Sequence, residues 1–295
     1  MTSPNTEMRK TWLDRYLRIQ AKQDTKLRTI LLSVSEHAQN EVSALEKNST
    51  FSAGVRTAQL RLVMKVVREL HNDLFAELQP VISSGQKDAA AGAVDSFRDT
   101  DREYLEAAFR ETGQVDSFVE GQRRQAEIGV ANAVSKLYGF EHPLSGRVYR
   151  TRSLANRWVQ NTVTRQIFIG ASAADIAKSV SRSIRADVPG GTGYAAMRLG
   201  RTELNNAFHT TSINLAKDRP WVEGMLWNLS ARHEPNPLKQ EICETYAGHV
   251  FTLETVPIKP HPQCRCYTTP QLEAYEVFIR HLTAGQYRSW ITNAA

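Results

Sequence analysis

The chain has 295 residues, 41% of them hydrophobic and 23% charged, which is room for two domains of ordinary size and a soluble, globular balance. No window approaches the roughly twenty apolar residues that a membrane helix needs, so no membrane partner is expected. Met1-Thr2-Ser3-Pro4-Asn5 has no apolar core of the secretory kind, so the product is expected to stay in the cell that makes it or to be packaged there.

Residues 7–48 read as one long helix, with Trp12, Tyr16, Ile19, Leu27, Ile30, Leu31 and Val34 recurring at helical spacing. It is longer than a compact bundle requires, and is expected to project and dock on a partner. A second helix spans Ala53 to Leu78, striped by Leu60, Val63, Val67, Leu70, Leu74 and Leu78 and ended by Pro80. A third, alanine-rich helix covers Lys87 to Arg110, and a fourth Val115 to Leu137. Gly139, Pro143 and Gly146 mark a boundary. This half is a helical bundle without a cluster of catalytic residue types.

Beyond it the charge changes. Residues 1–140 carry 19 Lys/Arg against 19 Asp/Glu, whereas residues 147–201 carry 10 Lys/Arg against Asp175 and Asp187 alone. The net charge of +6 therefore resides in one arginine-rich segment. Arginine suits phosphate, so nucleic acid is a natural partner, with Arg147, Arg150, Arg152, Arg157, Arg165, Arg182 and Arg185 as the contact candidates. A solvated face or an acidic protein partner is the other reading.

Within this segment, Ser153 to Ile169 is expected to be a helix with Leu154, Trp158, Val159, Val163, Ile167 and Phe168 on its apolar side. Ser172 reads as the N-cap of a short helix from Ala173 to Ile184. Val188-Pro189-Gly190-Gly191-Thr192-Gly193 reads as a flexible loop; it lacks the Lys-Ser/Thr ending of a phosphate-binding loop. Tyr194 to Lys217 is a strong helix. On it Arg201 and Glu203, two residues apart, cannot face each other, so each is expected to brace a different neighbour. An ion pair is the plainer role for Glu203 than acid–base catalysis.

Strand-like texture follows at Gly224–Ser230, which holds Trp227, and at Gly248–Leu253, separated by a loop over residues 231–237. A final helix is expected from Gln271 to Leu282. All three cysteines lie in this region: Cys243, then Cys264 and Cys266 inside His261-Pro262-Gln263-Cys264-Arg265-Cys266, stiffened by Pro257, Pro260 and Pro262. Three thiolate donors and a histidine suit a tetrahedral ion, zinc above all. Plain buried thiols and a disulfide are the competing readings.

With Arg201-Thr202-Glu203 on a helix, Trp227 on the next strand, Cys243 ahead of Gly248, and the histidine-proline-x-cysteine-arginine-cysteine ending, residues 150–270 resemble the phage Mu F-like minor head protein family. The resemblance implies a head-morphogenesis or minor capsid protein. Its place would be the virion interior near the portal vertex. Its partners would be the portal protein and packaged double-stranded DNA, with the major capsid protein a further one, and it would help assembly and DNA delivery. The family's acidic residue after the tryptophan strand is replaced here by Ala231-Arg232-His233-Glu234. His261 is the first choice for the fourth metal ligand, with His233 as the alternate.

The expected fold is α+β: an all-α helical bundle over residues 1–146, available for portal or capsid docking, then a smaller Mu F-like α+β domain over residues 147–295 with a structural zinc staple. No enzymatic activity is expected. A zinc deaminase needs His-x-Glu with Pro-Cys-x-x-Cys, and a zincin needs His-Glu-x-x-His; neither occurs. A cysteine hydrolase with His261 as base for Cys264 fits three clustered thiols poorly. A metal-dependent nuclease using His233, Glu234 and the basic segment is the alternative, and a free DNA-binding module is the third reading.

Overall fold

The computed structural model describes residues 4–47, 53–108, 119, 122–124, 144–168, 171, 173–188, 190–230, 233, 241–262 and 264–290. The described residues are mostly helical, with one small antiparallel sheet, a broad α+β composition. The helices are α1 (Pro4–Lys47), α2 (Ala53–Ala108), α3 (Leu144–Phe168), α4 (Ala173–Ile184), α5 (Thr192–Lys217), α6 (Ile242–Tyr246) and α7 (Tyr275–Thr283). The strands are β1 (Val222–Asn228), β2 (Val250–Phe251) and β3 (Tyr267–Leu272). No described helix is long and apolar enough to cross a membrane. The helix expected over residues 115–137 (apart from residues 119 and 122–124), the Ser172 cap and, but for His233, the loop over residues 231–237 lie outside the described residues.

Two compact units make up the chain. One comprises Met1–Gln20, Gly85–Gly139 and Thr202–Ala295; the other comprises Ala21–Ser84 and Phe140–Arg201. The boundary expected at residue 146 falls inside the second unit. At about 1.5 Å per residue, the 44-residue α1 is about 66 Å long, more than one small core can cover, so α1 contributes a segment to each unit.

The second unit buries a stripe from each of its helices: Leu27, Leu31, Val34 and Ala38 of α1; Val67, Leu70, Leu74, Leu78 and Ile82 of α2; Val148, Ala155, Val159 and Val163 of α3; Ile176, Val180 and Ile184 of α4. The apolar side of α1 is thus buried on its own chain from Met8 to Ala38, while Leu32 stays 59% exposed. Pro80 does not end α2 either, which runs through it to Ala108. A mid-helix proline costs about 3 kcal/mol, but Leu78 and Ile82 on either side of it are both buried and keep the helical stripe in register. On α3 the helix begins at Leu144, nine residues before the expected start. Leu154 and Trp158 lie about 100° round from Ala155 and Val159 and are 54% and 39% exposed, so they are not core.

Polar pairs fix how these helices meet. The Ser35 hydroxyl lies 2.9 Å from the Ser181 carbonyl. His71 donates from Nδ1 to the Val67 carbonyl at 2.8 Å, which leaves Nε2 to accept from Thr192 at 3.0 Å. Before α5, Gly190 takes φ 78°, and Gly191 packs closely, since a Cβ there would stand 2.5 Å from the Ser183 carbonyl, so the chain at these two glycines turns against α4 rather than forming an open loop.

The first unit is built on aromatic rings. Trp12 meets Phe97 edge-on at 4.9 Å, and Tyr16 meets Phe208 at 5.2 Å. The alanines of α2, Ala89 and Ala93, are fully buried and make room for them. Trp221 packs against Phe278, Tyr287 and Trp290 at 5.6, 5.7 and 4.3 Å. In the sheet β1 is central, antiparallel to both neighbours, with Met225 opposite Phe251 and Trp227 opposite Thr268. β3 replaces the start of the expected final helix, which begins at Tyr275. Pro270 is tolerated because β3 is an edge strand.

A buried ion pair ties α2 to the turn that follows α5. Arg219 donates from Nε and Nη2 to Asp101 at 2.9 and 2.6 Å, gives Nη1 to the Leu215 carbonyl at 2.7 Å, and lies 4.5 Å over the Phe97 ring. Burial pushes the Asp101 carboxyl up, and Arg219 opposes it. Removing one partner strands the other charge in the core. Asp101→Ala should cost about 3–5 kcal/mol in urea unfolding; a loss below about 1 kcal/mol would show that the pair is not buried in solution.

Candidate metal centre

The site is assembled from three short pieces of the first unit. Cys243 sits on α6, a single turn of helix, and is fully buried. Cys264 and Cys266 lie on the extended chain that enters β3. Residues two apart on extended backbone point to the same side, so a Cys-x-Cys delivers both thiols to one cavity while Arg265 between them is half-exposed. A turn in which the Cys264 N–H bonds to the His261 carbonyl at 3.3 Å folds His261 back toward the thiols.

The three Sγ atoms all lie within 4.8 Å of one another, close enough to hold a metal ion. Cys243 Sγ is 3.5 Å from Cys264 Sγ and 3.3 Å from His261 Nε2. A tetrahedral zinc with Zn–S of about 2.3 Å and Zn–N of about 2.0 Å sets S···S near about 3.8 Å and S···N near about 3.5 Å. The thiols thus fit zinc in type, and these two spacings agree to a few tenths of an ångström, while the set of donors that all lie within 4.8 Å of one another is the three cysteines without His261. The Nδ1 of His261 lies 3.1 Å from the Pro262 carbonyl, so that Nε2 faces Cys243, with Glu241 Oε2 also 3.6 Å from it.

Crowding shows in the thiol chemistry. Hydrogen bonds from Cys243 and Cys266, with help from Lys259, hold the Cys264 thiol down to about 3. The same bonds push the Cys243 thiol far above its ordinary value. Three sulfurs this close cannot all ionise beside one another without a cation between them.

Trp227 of β1 forms the wall of the cluster, packed with the three cysteines, Leu229, Tyr246 and Phe251. Its backbone is clamped to Gly248 and His249 by bonds of 3.0 and 2.9 Å. Lys259 places Nζ 4.8 Å over the Trp227 ring and donates to the Cys266 carbonyl. Asn205 of α5 donates to the Cys264 carbonyl. Sequence reasoning missed Lys259, Asn205 and His209, because their roles depend on neighbours far along the chain.

His233, the alternate ligand, is engaged elsewhere. Its Nε2 is 3.0 Å from Glu244 Oε1, and that hydrogen bond raises its pKa. Glu234 lies outside the described residues. In the second unit Arg201 of α5 grips Asp24 of α1 with bonds of 2.6 and 3.0 Å. In the first, Glu203 is buried and accepts from Gln86 of α2 at 3.0 Å. Of the arginine candidates, Arg150, Arg157, Arg165, Arg182 and Arg185 are exposed, and Arg147 and Arg152 are half-buried. Arg185 pairs with Asp187 at 3.2 Å. Arg150, Arg157 and Arg165 share one face of α3 with the exposed Leu154 and Trp158.

No protein-family model, no curated protein and no solved structure matches this chain.

Beside the cluster, His209 donates from Nε2 to the Pro257 carbonyl at 2.8 Å and pairs through Nδ1 with Thr268 at 3.2 Å. Burial first, and then the Lys259 charge, lower its pKa to about 3. The folded protein therefore keeps His209 neutral while the unfolded chain takes up a proton below about 6.5, so stability falls as pH drops from there toward about 3. Urea unfolding between pH 6 and 4 should show a slope steeper by about 1.4 kcal/mol per pH unit in the wild type than in His209→Asn. Equal slopes would mean that His209 is protonated in the fold.

Proposed function

We propose that the chain is a phage minor head protein of the Mu F-like kind, a component of the virion interior near the portal vertex. It contacts the portal protein and packaged double-stranded DNA, borders the major capsid protein, and helps assembly and DNA delivery. A structural zinc ion held by Cys243, His261, Cys264 and Cys266 staples the C-terminal sheet.

One observation carries this reading: the residues on which the resemblance rests have structural work to do. The histidine–cysteine ending closes one buried cluster with Cys243 and Trp227. Arg201 and Glu203 hold Asp24 and Gln86. A Cys3His set fills all four positions of a tetrahedral ion and leaves none for water, the mark of a structural site. The nuclease alternative would need His233 at an open metal position, and His233 is instead bonded to Glu244.

Quantitative mass spectrometry of purified phage particles tests the assignment. The expected result is a fixed copy number well below that of the major capsid protein; absence from both filled particles and empty heads would overturn it.

The basic segment gives a second test. The exposed Arg150, Arg157 and Arg165 on α3 are expected to neutralise DNA phosphates. Changing all three to Gln should flatten the dependence of log K on log salt for a 20-bp duplex by roughly 0.9 for each phosphate left without its arginine. An unchanged slope would assign the face to a protein partner.

A further inference from the structure

Two large apolar side chains of α3 face solvent, and arginines surround them. Leu154 and Trp158, one turn apart, are exposed, and so are Arg150, Arg157 and Arg165. At about 100° per residue, Arg150, Leu154, Arg157, Trp158, Asn161 and Arg165 all fall within a sector of about 100° on the helix. The charged residues of α3 are all arginine, and the chain has no acidic residue from His142 to Ala174. α4 packs beside α3 and exposes Lys178 and Arg182. The positive charge of the sector is therefore not neutralised on its own helix.

Apolar content separates the partners that could bring negative charge to this surface. A stable protein interface buries about 800 Å² on each side, around a core depleted of charge. Two apolar side chains interleaved with three arginines supply no such core. A closed duplex gives the arginines its phosphates and gives the indole nothing, because its bases are stacked on one another. An unpaired strand presents phosphates and bare base faces together, and any base can stack on an aromatic ring. Arg157 flanks the Trp158 ring directly, and Arg165 lies about 11 Å further along the helix axis.

We propose that the Leu154–Trp158 face of α3 is a seat for single-stranded DNA. One base stacks on the Trp158 indole, Leu154 packs against its neighbour, and Arg157 and Arg165 meet the phosphates. The inference rests on the DNA-contact reading of the same arginines and narrows it: the strand they hold is one whose bases are unpaired.

The test titrates full-length protein against a fluorescent 20-nucleotide oligo-dT and a 20-bp duplex, each over a range of salt. The wild type should bind the oligo-dT more tightly than the duplex. Trp158→Ala should weaken oligo-dT binding by about 5- to 150-fold, the worth of one stacked base. Duplex binding should stay as in the wild type. The salt slope on oligo-dT should not move, since no charge is lost. Trp158→Phe, which keeps a ring, should recover most of the affinity and controls for the fold.

Equal weakening on both DNAs would overturn the proposal and leave the phosphate contacts standing. No weakening on oligo-dT would overturn it too, and would assign Leu154 and Trp158 to the apolar side of a protein partner. Binding of an oligo-rU of the same length, with oligo-dT left unbound, would overturn it in favour of RNA. A wild type that binds neither DNA overturns the DNA-contact reading itself, and this inference with it.

Discussion

Three sulfur atoms held within 4.8 Å of one another are the constraint on which the C-terminal sheet turns. That sheet is small. β2 has two residues and β3 six, and β3 carries a proline that cannot donate to a ladder. Its apolar support near the thiols is Trp227 with a few neighbours. Val222, Met225 and Leu272 of the sheet belong to the aromatic core of the first unit, so it is the thiol side that has little apolar area to offset the ordering of the chain between β2 and β3. The cysteines join α6 to the strand-entering segment across that gap, and a cation among them would turn mutual repulsion into a cross-link. A structural zinc contributes an apparent 10–16 kcal/mol or so in isolated finger peptides, which is the scale of a whole domain's net stability.

Elsewhere in the molecule, narrow apolar stripes are given their register by a few buried polar pairs. Hydrophobic contact is non-directional, and a helix such as α1 can slide or rotate against its neighbours at modest cost. The bidentate grip of Arg219 on Asp101 in the first unit has one geometry, as has that of Arg201 on Asp24 in the second. The Glu203–Gln86 bond acts in the same way, linking α5 to α2 at a buried position. These pairs sit 118, 177 and 117 residues apart in sequence. Each is worth little as net attraction once desolvation is counted, yet each leaves a stranded charge or amide in any alternative register.

This separation in sequence also explains what could be read in advance. The stripes of α1 and the course of α5 were legible because 3.6-residue periodicity is local. The thiol cluster was legible because it needs only the alternation of an extended chain and the rarity of cysteine. Pro80 misled, since its local penalty is overridden by buried residues on both sides. Leu154 and Trp158 misled because hydrophobicity alone does not say which flank of a stripe is covered. β3 was hidden by Pro270, whose tolerance depends on its being an edge strand, a fact of topology. Lys259 and Asn205 gave no signal at all: a lone lysine beside an isoleucine and a proline has no pattern, and its place comes only from Trp227 and the cysteine segment it packs against.

Those sulfurs bear on what the centre can do. Sites that activate water keep a coordination position open, with two or three imidazoles or a carboxylate in the protein set. In the proposed site three thiolates and an imidazole would fill the shell, and the three cysteines are buried against Trp227. Such a set would suit an element that must stay folded better than one that opens a metal to substrate. The arginines that could meet a large anion are surface residues of α3 and α4, placed by helices whose cores are ordinary. Under the proposed function, binding and folding would fall to different residues: contacts made late by the surface arginines, on a scaffold whose shape is already fixed.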